Sequence, residues 1–294
     1  MVGNANFLAL RALRRAGLLS HLELEFTLVQ AGRKIRVPIL GGLGLEHWWF
    51  PDAQMLPVIR NSLELSSGAF VDVGAHIGET LLKLLLVDDG RPYLGVEPQP
   101  AAAAYLERLL EANRRSGHIF AAALGDRNGI AELQLRGRWL DDSASIVTGF
   151  RADEHAEKRR PIPLVRGDDA LAAIGIGRVG VLKIDVEGAE IEVLEGLAET
   201  IGRDRPVIVC EILPIYNEST AIGQLRRARS DAIVGFARER RYRVLRVREG
   251  GVEPLSRIET HADLALREHV LLPEEQEEQF IELAGRASEP PVTA

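Results

Sequence analysis

The sequence predicts an α/β chain built on a mostly parallel, seven-stranded sheet with helices on both faces and an antiparallel edge. Three observations carry that prediction. Short apolar runs rich in β-branched residues alternate with helical patterns between residues 69 and 272, as parallel strands joined by crossover helices require. A glycine-flanked turn, Gly74 to Gly78, joins the strand Ala69 to Val73 to an apolar helix. Acidic residues close successive strands, at Glu97, Asp126, Asp185 and Glu211, at the sheet edge where open α/β folds bind ligands.

At 294 residues the chain is long enough for one α/β domain with extra segments or for two small domains. The formal net charge of −7 argues against a generic nucleic-acid surface. The lone cysteine, Cys210, excludes an internal disulfide and fits a reducing compartment. No apolar run approaches the ~20 residues of a membrane span. Arg11, Arg14 and Arg15 interrupt Phe7 to Leu10, so no signal-peptide core forms and a cytoplasmic location is expected.

Residues 5–19 read as a basic amphipathic helix, either packed on the domain or lying on a membrane surface. Leu22 to Val29 and Lys34 to Leu40 read as a hairpin turning at Ala31-Gly32-Arg33. The loop Gly41 to Phe50 holds His47, Trp48 and Trp49, which either roof a pocket or pack under the hairpin. With a helix over 52–65, residues 1–66 form an expected N-terminal cap, followed by a main domain over 67–273 and an acidic C-terminal tail over 274–294.

The turn Gly74-Ala75-His76-Ile77-Gly78 is the cradle expected to hold a nucleoside. The helix after it offers free N–H groups at its start. A dinucleotide fingerprint needs G-x-G-x-x-G and a phosphate loop needs a terminal Gly-Lys-Ser/Thr; this stretch has neither. Glu79 at the mouth repels a pyrophosphate and suits a ligand with a positive charge and an amino group. S-adenosylmethionine (SAM) fits that description. Glu97, ending the second strand about 20 residues after the turn, is placed to accept from ribose hydroxyls, or to cap the helix over 100–115.

Strand three, His118 to Leu124, ends in Gly125-Asp126, where a carboxylate can accept from an adenine amino group. Asn128-Gly129 then turns into Ile130 to Leu135, read as a hairpin partner. The polar segment 141–160, with His155, reads as a loop, either a lid or a solvated excursion.

Chemistry concentrates at Val181-Leu182-Lys183-Ile184-Asp185-Val186-Glu187. Lys183 and Asp185 share one strand face, and a lysine inside a central strand needs a carboxylate partner. Strand five, Arg205 to Ile212, delivers Glu211 beside them. Asp185, Glu187 and Glu211 can serve as a general base, as an anchor for an amino group, or as oxygen ligands for a divalent cation, which is not expected. Ser219 to Arg240 reads as a helix with a break near Ser230-Asp231, and the arginines at 226, 227, 229, 238, 240, 241 and 243 as a solvated face or a surface for a phosphate-bearing partner. Arg241 to Val247 and Glu268 to Leu272 read as an antiparallel edge pair.

Phe70 to Gly78, Gly95-Val96-Glu97-Pro98 and Leu182 to Glu190 together resemble the FkbM family of SAM-dependent methyltransferases, over about residues 67–212. The resemblance implies a Rossmann-like class I methyltransferase fold and O-methylation of a hydroxyl on a sugar, polyketide or other secondary metabolite. It carries over Gly74, Gly78 and Glu97 as cofactor contacts, and Asp126 less firmly. His76 stands where the family often has Asn. The cofactor site expected is thus Asp72, Gly74, Ala75, Gly78, Glu79, Glu97, Pro98, Asp126 and Asp185, with Asp185 as base and Glu211, Glu187 or His76 as other catalytic groups. The partner expected is a hydroxylated small-molecule acceptor; a homodimer stays open. Two rivals remain: a SAM-binding protein without catalysis, and a nicotinamide oxidoreductase.

Overall fold

The computed structural model describes residues 23–30, 32–49, 54–136, 140–151 and 158–286. The basic stretch 5–19, His155 and the last eight residues lie outside them. The chain opens on the expected hairpin, β1 (Glu23–Gln30) and β2 (Arg33–Leu40), paired antiparallel. Trp48 packs on Phe26 of this hairpin with ring centroids 4.8 Å apart. Helix α1 (Met55–Leu65) leads into β3 (Ala69–Val73), whose five residues are all buried. Alternation then follows as expected: α2 (Glu79–Val87), β4 (Tyr93–Val96) and α3 (Pro100–Ala112).

The main sheet has eight strands rather than seven, ordered β12-β11-β13-β10-β9-β3-β4-β5. Its parallel half comprises β3, β4, β5 (His118–Phe120), β9 (Val179–Ile184) and β10 (Val207–Glu211). The antiparallel edge comprises β11 (Tyr242–Arg248), β12 (Gly251–Leu255) and β13 (Glu268–Pro273). The extra strand is β12, whose Gly-Val-Glu-Pro-Leu run carries an edge-type proline and a charge and so has a weak strand signal.

The third expected strand divides. β5 stays in the main sheet, while β6 (Ala123–Gly125) leaves for a three-stranded sheet ordered β6-β8-β7. β7 (Gly129–Leu135) therefore does not pair back on the strand before Asn128-Gly129. Its antiparallel partner is β8 (Lys158–Arg166), whose first three residues fall in the segment read as a loop and whose remainder, with two prolines, carried no strand signal. Helix α4 (Gly167–Ile174) follows it, also unforeseen. The helix after β9 is two helices, α5 (Glu190–Gly196) and α6 (Ala198–Asp204), parted at Leu197. Helix α7 (Ala221–Glu239) runs unbroken through Ser230-Asp231, since Ser230 is buried within it.

Strand alternation sorts the core onto two sheet faces. Phe70, Tyr93 and Val181 face β2, α1, α2 and α3. Val207, Val209, Leu245 and Val270 on that face meet α1 and Phe280 of α8 (Glu277–Arg286). Val71, Val73, Leu182, Ile184, Ile208 and Cys210 face α4 to α7. With both faces covered, the central strands read as nearly continuous apolar runs. This is the Rossmann-like class I methyltransferase fold.

Candidate active site

Parallel β3, β4, β9 and β10 all end on one rim, and a cavity of about 580 Å³ opens there. Gly74 ends β3 at φ +82°, and a Cβ on it would come within 1.7 Å of the Asp185 carbonyl oxygen. The glycine thus lets the ends of β3 and β9 close together. Gly78 stands at φ +92° as the cap of α2, and a Cβ there would meet Leu109 and Leu106 of α3 at 2.8 and 2.9 Å. Its role is to seat the turn on α3; unlike Gly74 and Ala75, it does not line the cavity.

The turn and the end of β4 are laced together. The Gly74 and Ala75 amides donate to the Val96 carbonyl at 2.9 and 3.0 Å. Glu97, 3 % exposed, accepts from the His76 amide at 2.9 Å and from the Gln99 amide at 2.8 Å. Burial pushes its carboxyl up to about 7 in spite of those two amides. His76 adopts φ +44°. Burial lowers its imidazole below the ordinary histidine value, and its Nε2, buried at the cavity wall, has no hydrogen-bond partner among the described residues. Behind the turn, His47 is fully buried and its Nε2 donates to the Ile77 carbonyl at 2.9 Å. The aromatic loop therefore braces the turn through a histidine, and neither Trp48 nor Trp49 lines the cavity.

Three carboxylates converge on the opposite wall, with oxygens of Asp185, Glu187 and Glu211 within 4.8 Å of one another. Strand register puts Asp72, Lys183 and Val209 side by side, so Lys183 and Asp185 share a face and pair at 3.4 Å. Lys183 also approaches Glu268 at 3.8 Å. Burial works to raise Asp185, but the Lys183 ammonium and a hydrogen bond from Glu211 outweigh it and bring the carboxyl down to about 2. Burial and the Asp185 charge push Glu211 up to about 11, so it holds the proton of the pair. Glu187, at φ +55°, pairs with Arg151, and burial still raises its carboxyl. Glu211 in turn meets Arg267 at 2.6 Å. Cationic side chains of the chain thus meet all three carboxyl groups.

A strap over residues 140–151 roofs the cavity. Gln99 and Asp141 exchange two hydrogen bonds, at 2.8 and 2.9 Å, which fasten its start to the end of β4. Ser145 Oγ donates to the Glu187 carbonyl at 2.7 Å. Buried Arg226 of α7 holds its far end, donating to the Phe150 carbonyl at 3.2 Å and to Pro214 at 2.7 Å. The α7 arginines are therefore no solvated face at this end. Arg227 pairs with Glu218 and Asp231, and Arg229 with Glu192.

Of the residues singled out from sequence, Gly74, Ala75, His76, Glu79, Glu97, Pro98, Asp185, Glu187 and Glu211 line this one cavity. Asp72 does not: it lies beneath the floor, bonded to the Tyr93 hydroxyl at 3.0 Å and pushed up to about 6 by burial. Asp126 does not either, because β6 has left the main sheet, and it pairs with neighbouring Arg127 at 3.0 Å. Gln99, Asp141, Asp142, Arg151, Arg267 and Glu268 line the cavity unforeseen. Only the Asp141-Asp142-Ser143 cluster carried a local signal for them; the others depend on long-range folding.

A glycine-turned, acid-rimmed cavity at the carboxyl edge of such a sheet is where an open α/β protein of the class I methyltransferase type takes its ligand. More particularly, the chain belongs to the methyltransferase FkbM domain family, whose model matches residues 72–244. It is 27 % identical over 197 residues to 31-O-demethyl-FK506 methyltransferase FkbM of Streptomyces tacrolimicus, covering 57 % of this chain and 73 % of that protein. Among solved structures, methyltransferase FkbM from Methylobacillus flagellatus is similar at 17 % identity and a TM-score of 0.42, over 70 % of this chain and 43 % of that one. An O-methyltransferase from Bacillus cereus, in complex with SAH, is similar at 10 % identity and a TM-score of 0.43, over 92 % of this chain and 91 % of that one.

Proposed function

We propose that this protein transfers a methyl group from SAM to a hydroxyl of a small secondary metabolite. The observation that carries the reading is a shared cavity: Glu97, held by the His76 and Gln99 amides, lines it together with the Asp185 and Glu211 pair. Its volume of about 580 Å³ suits a nucleoside-sized ligand. The unpartnered Nε2 of His76 faces a ligand space, and the acidic rim favours a cationic occupant over a pyrophosphate.

When bound, SAM supplies a methyl group already activated by a sulfonium charge. Glu97 and Pro98 hold the nucleoside end, with Glu97 accepting from ribose hydroxyls. Gly74, Ala75 and Glu79 receive the amino-acid end, and ionised Asp185 offsets its positive charge. Asp185 is also the base for the acceptor hydroxyl. A carboxyl held near 2 is a weak base, but the acceptor oxygen becomes strongly acidic as its new bond forms, so a weak base suffices if it is aligned. Protonated Glu211 donates to Asp185 and fixes its orientation. Glu187, anchored by Arg151, completes the wall.

Release of labelled methyl from SAM onto a panel of hydroxylated metabolites tests the assignment. Transfer to a hydroxyl oxygen is expected. Tight SAM binding with no transfer to any acceptor class would favour a sensor, and transfer to carbon or nitrogen would remove the O-methylation reading.

A further inference from the structure

The cavity continues past the Asp185 and Glu211 pair, on the side away from Glu97. Sheet order sets β4, β3, β9, β10 and β13 side by side, and neighbouring strands lie about 4.8 Å apart. Asp185 at the end of β9 is thus two strands, on the order of 10 Å, from Glu97 at the end of β4. Arg267 and Glu268, at the start of β13, stand two strands further on and also line the cavity. At this end the space also descends along the sheet. Val209 precedes Glu211 by two residues and Lys183 precedes Asp185 by two, so both sit roughly 7 Å lower on the same face. Phe70 of β3 reaches the space from that face as well. Opposite them runs α1, whose Met55 and Ile59, one turn apart, line the cavity from the helix side.

The chemistry of this branch is one-sided. Met55, Ile59, Phe70 and Val209 are buried and offer no hydrogen-bond donor. The charged groups beside them serve one another or the backbone. Lys183 pairs with Asp185 at 3.4 Å and with Glu268 at 3.8 Å, and Arg267 meets Glu211 at 2.6 Å. Lys83 donates to the Glu79 carbonyl at 3.5 Å. A sugar carries a hydroxyl on nearly every ring carbon, and each one pressed on such a wall loses its water without replacement. An aliphatic or alicyclic body gains there in proportion to the area it buries.

We propose, resting on the methyl-transfer reading, that Met55 and Ile59 of α1, with Phe70 and Val209 facing them, form the acceptor end of the cavity. They select a hydroxyl borne on an apolar carbon skeleton over one borne on a sugar, and the carboxylate row above them receives that hydroxyl. Calorimetry on the protein saturated with S-adenosylhomocysteine tests this with two probes that carry a ring hydroxyl: menthol, with an apolar body, and methyl glucoside, with a polar one. Menthol should bind roughly tenfold or more tightly than methyl glucoside. M55Q sets an unpartnered amide on the wall and should weaken menthol about tenfold, with S-adenosylhomocysteine affinity held within about twofold. Should M55Q fail to fold, I59V removes one methylene and should weaken menthol about threefold. If S-adenosylhomocysteine gives no heat, the methyl-transfer reading fails by itself, and the same probes are titrated into the protein alone. A menthol preference that falls in M55Q would there still support the branch as a site for apolar alcohols. No binding of menthol, equal binding of methyl glucoside, or undiminished menthol binding in both variants would overturn it.

Discussion

Asp185 and Glu211, on adjacent strands, hold one proton between them: Glu211 keeps it, and Asp185 faces the cavity ionised beside Lys183 at 3.4 Å. Their inequality follows from position. Both have a cation beside them, Lys183 at Asp185 and Arg267 at Glu211, but the Glu211 side chain is the more fully covered and meets the Asp185 charge.

That inequality predicts unequal mutants. D185N removes the base and should lower kcat by roughly 10²- to 10⁴-fold while SAM affinity stays within a few-fold. E211Q keeps a neutral donor next to Asp185 and should be much milder. Steady-state kinetics on an accepted substrate would decide, and equal losses would show that the proton does not reside on Glu211.

Gly74 and Gly78 should also separate. G74A drives a methyl into the Asp185 backbone at positive φ, with no flexible neighbour to yield; a loss on the order of 3 kcal/mol or more is expected. G78A stands at positive φ as well, but the methyl meets leucine side chains that can shift, and it should cost about 1–3 kcal/mol. Urea denaturation of both variants measures the difference.

Glu97 gives stability a pH signature. Its folded value is raised to about 7, so its contribution is present at low pH and is lost as pH rises from the ordinary carboxylate range through about 7. E97Q removes that dependence. The wild type should gain on E97Q by on the order of 2 kcal/mol between pH 8 and pH 5. A constant difference across that range would mean that Glu97 stays ionised in the empty protein.

Arg226 should act through the strap. R226A frees the Phe150 carbonyl and the Pro214 carbonyl, with a loss of about 2–3 kcal/mol. Hydrogen exchange should rise over residues 140–151 more than over β3 or β9. Uniform exchange would make Arg226 a packing residue only.

Much of this was legible in the chain because it is local. The β3 run, the glycine turn and the Lys183 to Glu187 string each carry their own pattern, and parallel topology then brings their ends together. What was not legible depends on pairing choices. β8 hides behind charges and prolines because it lies in a small outer sheet, and β6 changes sheets within a run that looks continuous, which took Asp126 away from the rim. The Arg151 and Glu187 pair, and Arg226 on Phe150, join residues 36 and 76 positions apart, which no local spacing announces.

The central claim is that this cavity takes an adenosyl sulfonium held at Glu97. Calorimetric titration of the purified protein with SAM, S-adenosylhomocysteine and NADH tests it most directly. SAM and S-adenosylhomocysteine should bind one to one, NADH should give no heat, and E97A should weaken SAM about tenfold or more. Binding of NADH without SAM, or SAM binding untouched in E97A, would contradict the account.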